Sequence, residues 1–538
     1  MLHPHATTKV PSTSISTACL QSYDVIIIGA GIAGSSLAYS LSDPQSKNPR
    51  SVLLIERDLT QPDRIVGELL QPGGCLAVSE LGLSECLNEI EAVEVKGYTV
   101  FWGSRKNSNT THGGINLPYP PQSTSKKLDW KDGALWNVKK NGLEKPIQEG
   151  RSFHHGRFVQ RLRWKAVSRV TLIEATVTEL IRCPNSGHFI GVTIQSGAEK
   201  SCSFYASLTI VTDGCFSKFR RQLAPQAFRQ PIVRSHFVGL ILQTPKPFET
   251  IPQPGHGHVF LPSQASPSSV VEADESRVGP VLIYQIGLDD TRMLVDVPGS
   301  KVPSISNGSL KDYLERQVTP ILPPTLQELF QSCLDSPDPS HRLRVMPNSY
   351  LPPHLQEDHP GVIMLGDAHN MRHPLTGGGM TVALLDVLKL KKLLDPLDDL
   401  GDTEAVNECV RKWHQNRKET STCVNVLAQA LYTLFGADDE RLEILKQGCF
   451  RYFELGGRCV TDPIGLLSAL KPSPMLLLSH FFSVAFYSIW IMIQSEVSAA
   501  KKDEIGLGFN RLFQIPVLAF NVFWAACVTI LPVLWAEW

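Results

Sequence analysis

The chain alternates polar stretches with short apolar runs that stop abruptly at a glycine or an acid. Four of these runs, Asp24 to Ile28, Ser51 to Ile55, Ser207 to Val211 and Val362 to Leu365, are apolar almost without a break. A short run without polar alternation predicts a strand covered on both faces, as in a parallel sheet between helices. Apolar helical stretches follow the first and last of them, from Ser35 and from just beyond Gly379. Residues 231–340 read differently. Runs at Val233 to Gln243, Val281 to Gly287 and Arg292 to Val297, separated by proline-rich loops such as 245–269, predict a mostly antiparallel sheet. Residues 104–150 are rich in Lys, Asn, Ser, Gly and Pro and predict an exposed insertion, after which helix and strand resume over 151–182. Residues 1–22 are polar and predict a flexible leader rather than a signal peptide. Residues 401–473 predict helices.

Two further segments, Pro474–Gln494 and Ile515–Ala536, hold no Lys, Arg, Asp or Glu. A helix of ~20 residues covers the ~30 Å hydrocarbon layer, and Trp490, Trp524, Trp535 and Trp538 suit the headgroup zone. His480, Asn521 and Pro532 dilute the two segments. Both a bilayer crossing and a hairpin lying in one leaflet therefore fit them, with burial inside the protein as a third reading.

The chemistry sits where the apolar runs end. Gly29-Ala30-Gly31-Ile32-Ala33-Gly34 follows the first strand at once and opens a helix, and the second strand ends in Glu56-Arg57. In that context the glycines give a tight turn, room for a pyrophosphate and close helix packing. A carboxylate at 56 takes both hydroxyls of an adenosine ribose and disfavours a 2′-phosphate. The third run leads into Asp213-Gly214, where Asp213 is either a second contact for a long dinucleotide or the cap of a helix starting near Phe216. The fourth leads into Gly366-Asp367, and Gly377, Gly378 and Gly379 then open an apolar helix whose free N–H groups favour an anion. Alone, each corner is a phosphate loop or merely a turn. Three in this order suit FAD better than NAD, because FAD is longer.

Composition narrows the rest. A formal net charge of −1 over 538 residues gives no electrostatic reason to expect nucleic acid. The 12 cysteines form no CxxC pair and no zinc spacing, which predicts reduced structural thiols and no metal site.

Three longer stretches are more particular: IERDLTQPDRIVGELLQPGG (55–74), DGCFSKFRR (213–221) and GDAHNMRHPLTGGGMTVALLD (366–386). They resemble the squalene monooxygenase (squalene epoxidase) family of FAD-dependent monooxygenases, over most of residues 23–400. The resemblance implies an α/β fold with a Rossmann-like FAD-binding domain of the aromatic-hydroxylase type (23–97, 151–230 and 341–400). It adds a mostly antiparallel β substrate domain (98–150 and 231–340) and a C-terminal helical, membrane-attached region (401–538). It implies squalene and O2 as substrates, FAD as cofactor, and NADPH-derived electrons from a flavoprotein reductase, since no second nucleotide fingerprint is visible. It also implies the endoplasmic reticulum (microsomal) membrane, or lipid droplets, with the catalytic part facing the cytosol.

Carried over residue by residue, Gly29, Gly31, Ile32, Ala33 and Gly34 form the pyrophosphate turn and Glu56 and Arg57 meet the adenosine ribose. Arg64 lies in the following loop, Arg157 in the GRF segment, and Val177 beside the adenine. Asp213, Gly366 and Asp367 meet the pyrophosphate or ribityl chain, while Gly378, Gly379 and Met380 face the isoalloxazine edge. Tyr98, in KGYTV, orients Gln71 near the flavin, and these two are the expected catalytic pair. Arg372-His373 holds the turn or neutralises phosphate, and His369 stands where many relatives carry tyrosine. A flavin monooxygenase for another apolar substrate, or a non-catalytic flavin- or lipid-binding sensor, would share the same motifs.

Overall fold

The computed structural model describes residues 9–19, 21–102, 114–121, 148–195, 201–262, 278–338, 342–436, 439–502 and 508–537. Seven strands build the first sheet: β1 (Tyr23–Ile28), β2 (Val52–Glu56), β3 (Thr171–Glu174), β4 (Thr176–Arg182), β5 (Phe189–Gln195), β6 (Cys202–Val211) and β7 (Val362–Met364). Their order is β3-β2-β1-β6-β5-β4, with β7 also on β6. β3, β2, β1, β6 and β7 run parallel, while β5 pairs antiparallel with the first half of β6 and β4 antiparallel with β5. Burial on both faces explains the unbroken apolar runs: Val25 and Ile27 enter one core, Ile26 and Ile28 the other. Helices α1 (Ile32–Leu41), α2 (His155–Ala166) and α3 (Gly379–Leu394) cover the first of these faces. In register, Ile28 stands beside Ile55 and Val211, and Val211 beside Met364. Four adjacent parallel strands therefore finish level, and open α/β sheets bind ligands at that edge.

The second sheet takes its strands in the order Arg344–Tyr350, Ile232–Gln243, Asp290–Pro298, Val281–Gln285, Gly257–Phe260, Gly97–Phe101 and Ile115–Pro118. Its pairings are antiparallel except where Gly257–Phe260 runs parallel to Gly97–Phe101. Leu310, Leu314, Leu326 and Phe330 from two helices bury one face. The other, with Phe237, Leu282 and Tyr284, packs on Ile65, Leu69 and Leu375.

Three expectations shift. Arg344–Tyr350 pairs with Ile232–Gln243, so the chain rejoins the first sheet at Val362 rather than at 341. Much of the insertion expected at 104–150 lies outside the described residues, yet residues 114–121 carry the edge strand Ile115–Pro118, with Leu117 and Tyr119 buried. The leader expected to be flexible is anchored at points within its described residues 9–19. Val10 and Ala18 are buried, and the Thr13 N–H donates to Leu172 O at 2.7 Å. Two small apolar anchors in a polar stretch leave too little periodicity to be read as order.

The C-terminal region is helical: α4 (Thr403–Phe435), α5 (Glu440–Glu454), the short helix Arg458–Leu467, α6 (Pro474–Lys502) and α7 (Gly508–Glu537). Pro474–Ser498 and Gln514–Glu537 are long and apolar enough to cross a membrane, yet only 22% and 17% of their most apolar windows are buried. They are therefore not core helices. Leu445 of α5, Ala485 and Met492 of α6, and Val522 and Ala526 of α7 pack together, while Trp490, Phe520, Trp524 and Trp535 are exposed.

Candidate functional site

The three glycine corners meet at the level edge of the first sheet. Gly29 has φ +100°, and a Cβ on it would lie 2.5 Å from Thr212 O, so conformation and space both exclude a side chain. A Cβ on Gly34 would lie 1.9 Å from Gly29 O. Thr212 Oγ1 donates to the carbonyls of Ile28 and Gly29, each at 2.8 Å. The third corner closes on the first: Gly366 has φ +65°, and its Cβ would stand 3.3 Å from Ala33 Cβ. Gly31, Asp213 and Asp367 thus share one edge.

Two buried arginines that sequence reasoning passed over tie the corners together. Arg220 Nε donates to Ala368 O (2.9 Å), and its Nη2 to Asp367 O (2.9 Å) and Cys215 O (3.1 Å), joining the second corner to the third. Arg163 Nε donates to Ala30 O (2.8 Å), its Nη1 to Thr60 O (3.0 Å), and its Nη2 lies 3.5 Å from Glu56 Oε2. Glu56 itself accepts from the N–H groups of Ala30 (2.7 Å) and Arg57 (3.0 Å), which fixes its carboxylate at the end of β2. Arg220 was visible within DGCFSKFRR. Arg163 had no local signal beyond a basic helix. Arg157, expected at the cofactor, pairs with Glu91 Oε2 (2.6 Å), and Arg163, six residues later on α2, contacts the glycine corner.

What the corners leave open fits a dinucleotide. α1 and α3 begin without a side-chain cap, at Gly31 and Gly378. Nothing lies within 4 Å of a Cβ at Gly31 or Gly379. Asp213 Oδ1 is buried without a partner, and burial pushes its carboxyl pKa up. Asp213 is not the cap foreseen at Phe216, because the helix there starts at Arg220 and the Arg220 N–H donates to Ser217 Oγ (3.3 Å). Two bare helix starts and an unpaired carboxyl oxygen around open glycine faces make a cradle for a pyrophosphate and its sugars.

The other expected residues distribute around this cradle. Arg64 Nη2 donates to Cys215 Sγ (3.2 Å) at the second corner. Val177 is buried on β4, and its carbonyl accepts from Lys218. Arg57 is exposed beyond β2. Met380 is buried in the first turn of α3, and Val424 of α4 presses on Gly378, where a Cβ would meet its Cγ1 at 2.4 Å. Arg372 holds the turn, with Nη2 donating to Asn370 O (3.0 Å) and Oδ1 (2.7 Å). His373 Nδ1 accepts from the Leu375 N–H (3.2 Å), and burial pushes its pKa down to about 3. His369 is buried between His354 and Trp413, which holds it well below the usual histidine range. Among the described residues no group of His, Cys, Asp and Glu is arranged to hold a metal.

Gln71 and Tyr98 meet one step inward, and two further residues complete the junction. Gln71 Nε2 donates to Tyr98 Oη and to Thr376 O (2.6 Å), and Gln71 Oε1 accepts from Tyr119 Oη (2.7 Å). Tyr98 Oη donates to Thr376 O (3.2 Å). The amide is thereby locked in one orientation, and burial pushes both tyrosine pKa values up. A narrow cavity of about 40 Å³ opens beside it, lined by Tyr98, His258, Leu282, Tyr284, Leu294 and Leu375 among others. On its wall Glu68 accepts from Arg292 Nε and Nη2, both at 2.8 Å, as a buried ion pair.

The fold is shared with flavin-dependent enzymes. The brominase Bmp2, a flavin-dependent enzyme, aligns with a TM-score of 0.59 at 14% identity, covering 87% of this chain and 99% of its own. PqsL of Pseudomonas aeruginosa aligns at 0.54 and 18%, covering 78% and 97%. Sequence comparison goes further. Residues 205–505 match the family model for squalene epoxidase. The chain is 40% identical to squalene epoxidase erg1 of Aspergillus fumigatus, covering 96% of this chain and 93% of that one. It is 39% identical to squalene monooxygenase of Mus musculus, covering 98% and 80%. The chain belongs to the squalene epoxidase family.

Proposed function

We propose that this chain is an FAD-dependent monooxygenase that epoxidises squalene to (S)-2,3-oxidosqualene, in sterol or triterpenoid biosynthesis. It uses O2 and NADPH-derived electrons handed over by a separate flavoprotein reductase. The observation that carries the reading is the convergence of three glycine corners on one sheet edge, with the Gln71–Tyr98 junction between that edge and an apolar cavity. When bound, FAD activates dioxygen and supplies one oxygen atom to an alkene.

The chain's own residues do the rest. The start of α1 takes the pyrophosphate, the start of α3 faces the isoalloxazine edge, Glu56 takes the adenosine ribose, and Asp213 and Asp367 accept from hydroxyls along the cofactor. Gln71, held by Tyr98, Tyr119 and Thr376, presents a fixed amide to the flavin edge and closes the boundary to water. Squalene has no polar handle, so binding depends on apolar walls, and a hydrocarbon of that size needs a pocket of roughly 300–1,000 Å³. Entry therefore widens the cavity between the second sheet and the Pro374–Gly377 segment.

The α6–α7 hairpin brings the site to the lipid in which squalene dissolves. One flank is fastened along α5, where a Cβ on Gly448 would strike Ser488 Oγ and Tyr452 Oη lies 2.9 Å from His480 Nδ1. The other flank presents Trp490, Phe520, Trp524 and Trp535. A hairpin fastened along its length seats in one leaflet rather than crossing. The cytosolic face of the endoplasmic reticulum supplies both the membrane and the reductase.

Purification of the full chain in detergent with a bound yellow flavin, and epoxide formation from squalene, NADPH and a reductase, tests the proposal. A preparation that takes up no FAD sinks it. NADPH consumption that yields only peroxide points to a different apolar substrate or to a non-catalytic sensor.

A further inference from the structure

The last described turn of α7 enters a buried polar cluster behind the third corner. Glu537 is 1% exposed, its Oε2 accepting from Asn425 Nδ2 of α4 (2.8 Å) and its Oε1 from Tyr350 Oη (3.3 Å). The same Asn425 amide donates to Asn370 Oδ1 (3.1 Å), which also accepts from Arg417 Nη2 (3.0 Å) and Arg372 Nη2 (2.7 Å). The Asn370 N–H donates to Gly366 O (3.0 Å), and Arg372 Nη1 reaches Gly379 O (3.4 Å) at the start of α3. Every side chain in this path is buried. Arg417 is paired with Asp386, whose Oδ2 accepts from its Nε and Nη2 (3.0 and 2.8 Å), while Glu537 enters the cluster as an acceptor of hydrogen bonds from Asn425 and Tyr350. Buried polar groups persist only when paired, so a side chain at 537 that cannot accept from both Asn425 and Tyr350 leaves a buried donor unsatisfied beside the corner.

We infer that Glu537 is a positioning residue for the Gly366–Asp367 corner, coupling the seating of the apolar α6–α7 hairpin to flavin binding. The coupling rests on the flavin reading above and deepens it. A seated hairpin places the Glu537 carboxylate against Asn425. Asn425 and the two arginines then hold Asn370, and Asn370 and Arg372 set the main chain at Gly366 and Gly379. By linkage the influence runs both ways: FAD held at the corner also holds α7 in place.

The test uses the full-length chain in detergent. Titrated with FAD and followed by quenching of flavin fluorescence, Glu537→Gln raises the dissociation constant on the order of tenfold, the usual size of such coupling, while Glu440→Gln on the surface of α5 leaves it unchanged. In the unaltered chain, FAD slows hydrogen–deuterium exchange across residues 514–537 more than across the distant helix Ser309–Gln317. An unchanged dissociation constant in Glu537→Gln overturns the inference. If that variant does not fold, exchange in the unaltered chain decides, and the absence of selective protection of 514–537 overturns it. An unaltered chain that takes up no FAD defeats the functional reading beneath it, a result distinct from either.

Discussion

The sheet edge with its three corners and the Gln71–Tyr98 junction reach order by opposite routes. At the edge, main chain meets main chain: glycines let Gly29 approach Thr212 and Gly34 approach Gly29, and side chains enter as staples, Arg220 and Arg163 binding carbonyl oxygens. At the junction, the side chains of Gln71 and Tyr98 meet the carbonyl of Thr376, and Tyr119 donates to Gln71, three side chains from separate stretches of the chain. A site built from backbone tolerates almost no added atom. A site built from side chains loses one hydrogen bond at a time.

The sharpest way to break this contrast is at Gly34, where a side chain would collide with backbone that cannot give way. Gly34→Val therefore yields insoluble or unfolded protein, read by circular dichroism and gel filtration. Arg220→Met comes next. It strands the carbonyls of Ala368, Asp367 and Cys215, and at about 1–3 kcal/mol per unsatisfied buried group it lowers unfolding free energy by about 3 kcal/mol in urea titration. Gly31→Val separates fold from ligand, since nothing of the protein stands within 4 Å of the new Cβ. Its melting temperature stays near that of the parent, while FAD affinity falls roughly ten- to a hundredfold, the worth of one or two charge-assisted hydrogen bonds.

At the junction the effects are smaller. Tyr98→Phe leaves Gln71 its bond to Thr376 O, costs about 1 kcal/mol of stability and lowers kcat by about tenfold. FAD affinity stays within about twofold. A large loss of FAD affinity would show that the junction belongs to the cradle.

The smallest effect is one of pH. Asp296, buried behind His373 and bonded to Ser235 (2.5 Å) and Asn348 (2.9 Å), has its pKa pushed up by burial to about 7. A carboxyl whose folded pKa lies above its unfolded value contributes stability that is complete below the unfolded value and lost as pH rises through the folded one. The melting temperature of the parent therefore falls between about pH 4 and pH 7, and Asp296→Asn flattens that slope. An equal slope in both proteins removes Asp296 as its source.

By itself the sequence determined the parallel core, the second, mostly antiparallel sheet, and the residues at each corner. Unbroken apolar runs, glycines and strand-end acids are local signals, and local sterics decide what they build. The same holds for the two apolar helices, whose length and composition are legible without neighbours. Only the tertiary structure decided which arginines staple the corners, since Arg157 and Arg163 lie on one basic helix and differ only in what that helix faces. It also decided that Tyr119, inside an apparently disposable polar stretch, completes the junction, and that Glu537 of an apolar tail sits beside Asn425. Those contacts join residues tens to hundreds of positions apart, and no periodicity or spacing records a distance of that kind.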